Sequence, residues 1–263
     1  MRMGWAQQTP DVQATWLAEA TCLVLQAHVH VDAAFLDGAP NLMLLATPSV
    51  GFDNIDAVEC GRRGIYVTNG AGSITETTAD LALCLLLGCM RHLGANHMIV
   101  KGGPEAHGNK WFIGEQLGDD PTNKILGVVG FGRIGQALAQ KCRAAFNMEV
   151  IFYDAFHVQS AVVGARKVGS LEELLRTADV VSVNSVLDAS TLGAFSHEQF
   201  AMMKKGAYLI NAARGPLIDE DALAAVRAHA CHMRRRCRLI NQFQLSGRLT
   251  GTFCSACARI MHG

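Results

Sequence analysis

The sequence predicts an α/β fold organised on a doubly wound parallel sheet, and three observations point to it. Short apolar runs over 125–129 and 150–153 and strand-like stretches over 179–183 and 208–212 alternate with helical patterns, as strands joined by helical crossovers do. The first run opens into Gly130, Gly132 and Gly135, spaced G-x-G-x-x-G. The second ends in Asp154, 19 positions after the last glycine.

Taken in order, residues 1–20 give a mixed helical pattern around Trp5 and Trp16. Residues 22–26 read as a strand, 31–36 as a short helix running into the turn Asp37-Gly38, and 41–46 as a second strand. That strand ends in Thr47-Pro48-Ser49-Val50-Gly51, a loop whose backbone N–H groups could hold a carboxylate, although from position alone a plain turn is the better reading. A helix over 56–63 and a short strand over 65–68 lead to Asn69-Gly70-Ala71-Gly72, which breaks the pattern. A helix then starts at Thr75, with Glu76 in its first turn, and runs to about Leu93; apolar residues cover most of its circumference, so it is expected to be buried on several sides. From 94 to 121 the composition turns to Gly, His, Asn and Asp, which reads as a surface excursion.

The glycine stretch 125–140, ILGVVGFGRIGQALAQ, reads as strand, tight turn and helix start. Gly130 permits the turn, Gly132 admits a pyrophosphate to the backbone and Gly135 lets helix and strand pack closely, while the free N–H groups of the helix start attract the anion. A carboxylate at Asp154 accepts both ribose hydroxyls of adenosine and repels a 2′-phosphate, which favours NAD over NADP. The alternation continues with helices over 171–176, 197–203 and 219–226. Ligands of such sheets bind beyond the carboxyl ends of the strands, here at Gly130 to Gly135, Asn184-Ser185 and Ala213-Arg214-Gly215. Arg214 offers a planar fork for a carboxylate, with a surface arginine as the plainer reading.

Composition narrows the class. The chain has 263 residues, of which 50% are hydrophobic, and its formal net charge is zero, an ordinary α/β composition. The longest apolar stretch, 81–90, is too short to cross a bilayer, and the N-terminus lacks the order of a signal peptide, so a cytoplasmic protein is expected. Cys22, Cys60, Cys84, Cys89 and Cys142 fall in helical or buried patterns, as reduced thiols do.

Four stretches, SVGFDNIDAVECGRRGIYVTN (49–69), ETTADLALCLLLGCMR (76–91), LGVVGFGRIGQALA (126–139) and MKKGAYLINAARGPLIDEDAL (203–223), together resemble the D-isomer-specific 2-hydroxyacid dehydrogenases. The resemblance implies a Rossmann-type nucleotide-binding domain and a smaller flavodoxin-like substrate domain. It implies a partial substrate domain over 1–70, an NAD-binding domain over 71–226 without its last strands, and a divergent tail over 227–263. By motif position, Val50 and Gly51 lie on the substrate and nicotinamide side. Gly130, Gly132, Arg133, Ile134 and Gly135 serve the pyrophosphate, Asp154 the adenosine ribose, Ser185 the nicotinamide ribose and Ala212 the nicotinamide. Arg214 holds the carboxylate of a small 2-oxo or 2-hydroxy acid such as glyoxylate or hydroxypyruvate and polarises its carbonyl for hydride transfer with NADH. A homodimer is implied as well. An NAD-binding corepressor without turnover shares the same fold and fingerprint and is the alternative.

Family members finish the reaction with a histidine as proton donor and a Glu that raises its pKa. The Leu-Asp-Val strand, Glu-Pro turn and Pro-His-x-Gly loop that carry them are absent from this sequence, and Val186 and Asn184 stand where the family has Pro and His. His262, 48 positions after Arg214, has the family interval but neither the strand nor the Glu. After Asp221 there are seven arginines, no lysine and no acid. The tail shows no apolar period and is read as disordered, out-of-frame or alternatively spliced sequence. Zinc binding at Cys254-x-x-Cys257 and nucleic-acid binding are the lesser alternatives.

Overall fold

In the computed structural model, residues 9–26, 28–107, 117–156, 160–232 and 238–241 are described. The chain divides into two units, Met1–Ile74 and Thr75–Gly263.

In the first unit, Pro10 at the start of helix α1 (Pro10–Glu19) pre-sets the helical φ, and Asp11 complements the N-terminal dipole. Strand β1 (Cys22–Val24) leads to α2 (Ala33–Asp37), β2 (Leu44–Thr47), α3 (Ala57–Arg62) and β3 (Tyr66–Asn69). The Asp32 and Asp56 carboxylates cap α2 and α3 by accepting the N–H of Phe35 and Glu59, each at 2.9 Å. The three strands pair in parallel in the order β1-β2-β3. Leu25, Val31, Leu36, Leu45, Cys60 and Ile65 form the core beside them.

The second unit begins with α4 (Thr75–Met90) and α5 (Leu93–His107) and continues as β4 (Ile125–Val129), α6 (Arg133–Phe146), β5 (Glu149–Tyr153), β6 (Arg166–Lys167), α7 (Leu171–Thr177), β7 (Val180–Val183), α8 (His197–Met202), β8 (Tyr208–Asn211), a 3-10 turn (Gly215–Leu217), α9 (Glu220–His232) and β9 (Arg238–Asn241). The strands pair in parallel in the order β6-β5-β4-β7-β8-β9. Numbered within the unit this is 3-2-1-4-5-6, the doubly wound order, and the reversal between β4 and β7 opens the ligand crevice. One core layer joins Ala79, Leu86, Val128, Leu138 and Ile210, and the opposite layer joins Leu174, Leu175, Val181, Phe200 and Leu209. Burial on both faces explains why these strands are mostly apolar, although Ser182 and Asn211 are buried polar residues among them.

Four departures from the sequence reading have physical reasons. The stretch read as a surface excursion begins with a helix, α5, because Ala95 and Ile99 bury one side of it despite glycines that lower its intrinsic propensity. The helix expected to reach Leu93 stops at Met90, and the chain turns at His92, which is buried with φ 53°. Strand β6 is two exposed basic residues at a sheet edge, a composition that edge strands carry and that no apolar alternation reveals. The tail, read as structureless, continues α9 to His232 and supplies β9, so the edge of β8 is paired over Tyr208–Asn211. The reason is local: Leu239-Ile240-Asn241 repeats Leu209-Ile210-Asn211 and pairs with it in register, giving the β8 backbone hydrogen-bonding partners.

Asp179, just before β7, ties strand starts together. Its Oδ2 accepts the Ile125 N–H at 2.9 Å and its Oδ1 pairs with Lys204 Nζ at 3.0 Å. Burial raises its carboxyl pKa, but the Ile125 N–H and the Lys204 ammonium outweigh that and hold it below its ordinary value of 3.8. A lowered folded pKa gives stability that is complete above the unfolded value and is lost as pH falls through the folded one. Asp179→Asn is therefore expected to cost about 1 kcal/mol at neutral pH, a figure kept small for solvent screening. It is also expected to flatten the acid-side loss of thermal stability; parallel wild-type and variant melting curves down to pH 3 would contradict this.

Candidate functional site

The glycine turn is built by close backbone approach. Gly130 has φ +85°, and a Cβ there would meet Ser185 N at 2.6 Å and the Asn184 carbonyl carbon at 2.7 Å. A Cβ on Gly135 would meet Gly130 O at 2.5 Å, so α6 and the turn come too close there for any other residue. Between them Phe131 is buried and stacks on Phe152 with ring centroids 3.9 Å apart, which pins the turn to the sheet. Gly132 caps α6 with no side-chain hydrogen bond, and nothing lies within 4 Å of where its Cβ would stand. The space beside Gly132 at the start of this 14-residue helix is therefore open, as a pyrophosphate at a helix N-terminus needs. Arg133 is exposed and Ile134 half-buried in that first turn.

Asp154 follows β5 and is half-buried. Its Oδ2 accepts the Phe131 N–H at 2.7 Å and its Oδ1 accepts the Phe156 N–H at 2.9 Å. The carboxylate is thus held against the glycine turn with acceptor capacity left on both oxygens for a ribose diol. Gln136 is a residue that sequence reasoning missed. Its Nε2 donates to Phe131 O and its Oε1 accepts the Ala161 N–H, both at 3.0 Å, joining the turn to the segment beyond Asp154. Its place in the helix turn next to Gly132 was the only available signal.

At the end of β7, Asn184 N–H donates to Val129 O at 2.7 Å and sets Ser185 beside Gly130. The Asn184 Nδ2 is spent on Ser182, whereas its Oδ1 is buried with no partner. An orphaned acceptor beside the glycine turn suits a ligand hydroxyl or amide donor. These features together fit a dinucleotide. At the end of β8, Ala212 is buried and Arg214 half-buried, with Nη1 donating to Ala213 O at 3.0 Å. The structure thus brings Gly130, Gly132, Gly135, Asp154, Ser185, Ala212 and Arg214 to the carboxyl ends of one sheet.

Val50 and Gly51 lie in the other unit, in a loop wired by its own side chains. Ser49 Oγ donates to Gly51 O at 2.8 Å, and Asn69 Nδ2 donates to Val50 O at 2.7 Å. Both carbonyls are engaged within the unit. His262, Cys254 and Cys257 fall outside the described residues. Among the described residues no single helix is long and apolar enough to cross a membrane.

The family model for the NAD-binding domain of D-isomer specific 2-hydroxyacid dehydrogenases matches residues 83–230. Glyoxylate reductase of Thermococcus kodakarensis is 40% identical over 208 residues, 78% of this chain and 62% of that protein. Glyoxylate/hydroxypyruvate reductase B of Shigella dysenteriae is 39% identical over 222 residues, 83% of this chain and 66% of that protein. The chain thus spans less than two thirds of the length of the Thermococcus relative. Among solved structures, D-lactate dehydrogenase from Aquifex aeolicus, complexed with NAD and lactic acid, matches with a TM-score of 0.75 and 31% identity, over 82% of this chain and 63% of that one. A glyoxylate reductase from Paecilomyes thermophila matches with a TM-score of 0.76 and 28% identity, over 92% and 73%. The doubly wound order, the glycine turn and these matches agree, and the chain belongs to the D-isomer specific 2-hydroxyacid dehydrogenase family.

Proposed function

We propose that this chain binds NADH along the glycine turn and presents Arg214 to the carboxylate of a small 2-oxo acid such as glyoxylate or hydroxypyruvate, which is reduced to the 2-hydroxy acid. The observation that carries the reading is the pairing of an open, uncapped α6 N-terminus with a backbone-anchored Asp154. When bound, NADH supplies the hydride. The α6 amides hold the pyrophosphate, Asp154 accepts the adenosine ribose hydroxyls and disfavours a 2′-phosphate, and Ser185 and Ala212 border the nicotinamide half. Arg214 grips the carboxylate through two parallel hydrogen bonds and draws electron density from the adjacent carbonyl. Val50 and Gly51 belong to the substrate side on family resemblance alone. The reductase names of the relatives support turnover over a binding-only corepressor role. Two copies pairing and a cytoplasmic location belong to the same proposal on family resemblance.

Proton delivery is the weak step, because this sequence carries none of the motifs on which the family places its His and Glu. Removing a general acid costs about 10²- to 10⁴-fold in rate. The purified 263-residue chain is therefore expected to bind NADH yet reduce glyoxylate slower than the Thermococcus relative by that factor, measured as NADH oxidation. Turnover equal to that relative would contradict the missing donor, and absence of NADH binding would contradict the whole reading.

A further inference from the structure

Asn211 ends β8 and is fully buried, yet its side chain is spent on the loop beyond the sheet. Nδ2 donates to the Arg214 carbonyl at 2.7 Å, and Oδ1 accepts the Ala213 N–H at 3.0 Å. The Ala213 carbonyl in turn accepts from Arg214 Nη1 at 3.0 Å. One buried amide thus holds the backbone on both sides of the Ala213-Arg214 peptide, and the guanidinium hangs from that same peptide. Further along, Gly193 N–H to Pro216 O at 2.8 Å and Phe195 N–H to Leu217 O at 3.0 Å fasten the loop to the segment before α8. Arg214 has no freedom to shift without breaking the Asn211 clamp. The first unit uses the same chemistry where Asn69, at the end of β3, holds the Val50 carbonyl.

We propose that Asn211 is a positioning residue, which sets the Arg214 guanidinium for carboxylate capture. The ligand in this statement rests on the function proposed above; the clamp on Arg214 does not. The amide is chemically specific. An aspartate would turn a second acceptor toward the Arg214 carbonyl and would compete with substrate for the guanidinium. An alanine would leave a donor and an acceptor unsatisfied in the interior, and the loop would move to find partners.

The test compares wild type with Asn211→Ala and Asn211→Asp in the full chain, with Asn211→Ser as the milder variant if alanine does not fold. Oxamate, a small 2-oxo-acid analogue, is titrated into NADH-loaded protein, NADH affinity is measured separately, and phenylglyoxal modification of Arg214 is followed by mass spectrometry. Arg176, an exposed ion-paired arginine, is the internal control. A misplacement of about 1 Å is worth about 100-fold, so oxamate affinity is expected to fall by about 10- to 100-fold. NADH affinity is expected to stay within about 3-fold. The Arg214 modification rate is expected to change while that of Arg176 does not. Unchanged oxamate affinity with unchanged Arg214 reactivity overturns the proposal, as does a proportional loss of oxamate and NADH binding, which marks a purely structural role. If wild type binds NADH but not oxamate, the carboxylate reading fails by itself. The Arg214 modification rate then decides the clamp, unchanged reactivity overturning it.

Discussion

Gly130→Val is expected to abolish NADH binding and destabilise the nucleotide-binding unit, whereas Gly132→Val is expected to abolish NADH binding with stability close to wild type. The two glycines stand two positions apart and differ in what surrounds them. Gly130 sits at φ +85°, and a Cβ would press on the backbone of Asn184 and Ser185 at 2.6–2.8 Å. A β-branched residue there pays strain of about 1–3 kcal/mol for the left-handed backbone alone. The clash adds to this, because β7 cannot retreat without losing its pairing to β4. Gly132 has φ −73° and ψ −164°, which any residue adopts, and its Cβ would enter open space. A valine there costs the fold little and fills the volume through which phosphate oxygens reach the α6 amides. Thermal melting with NADH titration separates the two. A Gly132→Val protein that binds NADH like wild type would show that the space before α6 is not the phosphate site.

Asp154→Asn is expected to weaken NADH by about 10-fold or more and to narrow its advantage over NADPH, since the charge that repels a 2′-phosphate is gone while side-chain shape is retained. The wild-type carboxylate accepts the Phe131 and Phe156 N–H groups. An asparagine can serve only one of those donors with its oxygen, and its amide opposes the other. The variant should therefore loosen the glycine turn as well as change charge, so its NADPH affinity is expected to rise relative to NADH and not in absolute terms. Calorimetric titration with both cofactors measures the ratio, and an unchanged ratio would separate Asp154 from the ribose.

The glycine turn, Asp154 and the strands of the second sheet were legible because each obeys a strong local constraint. A parallel strand buried on both faces is mostly apolar, and a position where a Cβ would come within 3 Å of another backbone must be glycine. Arg214 was legible by its place after a strand, where doubly wound sheets bind ligands. Asn211 and Gln136 were not, because an amide that bridges backbone groups leaves no periodic or compositional trace. Helix α5 was hidden by its glycines and revealed only by the burial of Ala95 and Ile99. Strand β9 was hidden because four residues in an arginine-rich stretch show no alternation. Only the β8 edge, with Leu209-Ile210-Asn211 in register with Leu239-Ile240-Asn241, gives them a place.

The most direct measurement is a parallel titration of the purified 263-residue chain with NADH and NADPH, followed by energy transfer from tryptophan to the nicotinamide and repeated with ADP-ribose as competitor. Saturable NADH binding that ADP-ribose displaces, with NADPH at least about 10-fold weaker as a 2′-phosphate facing a carboxylate requires, is the expected result. Absence of NADH binding, or equal affinity for NADPH, would contradict the assignment of Gly130 to Gly135 and Asp154 as the cofactor site.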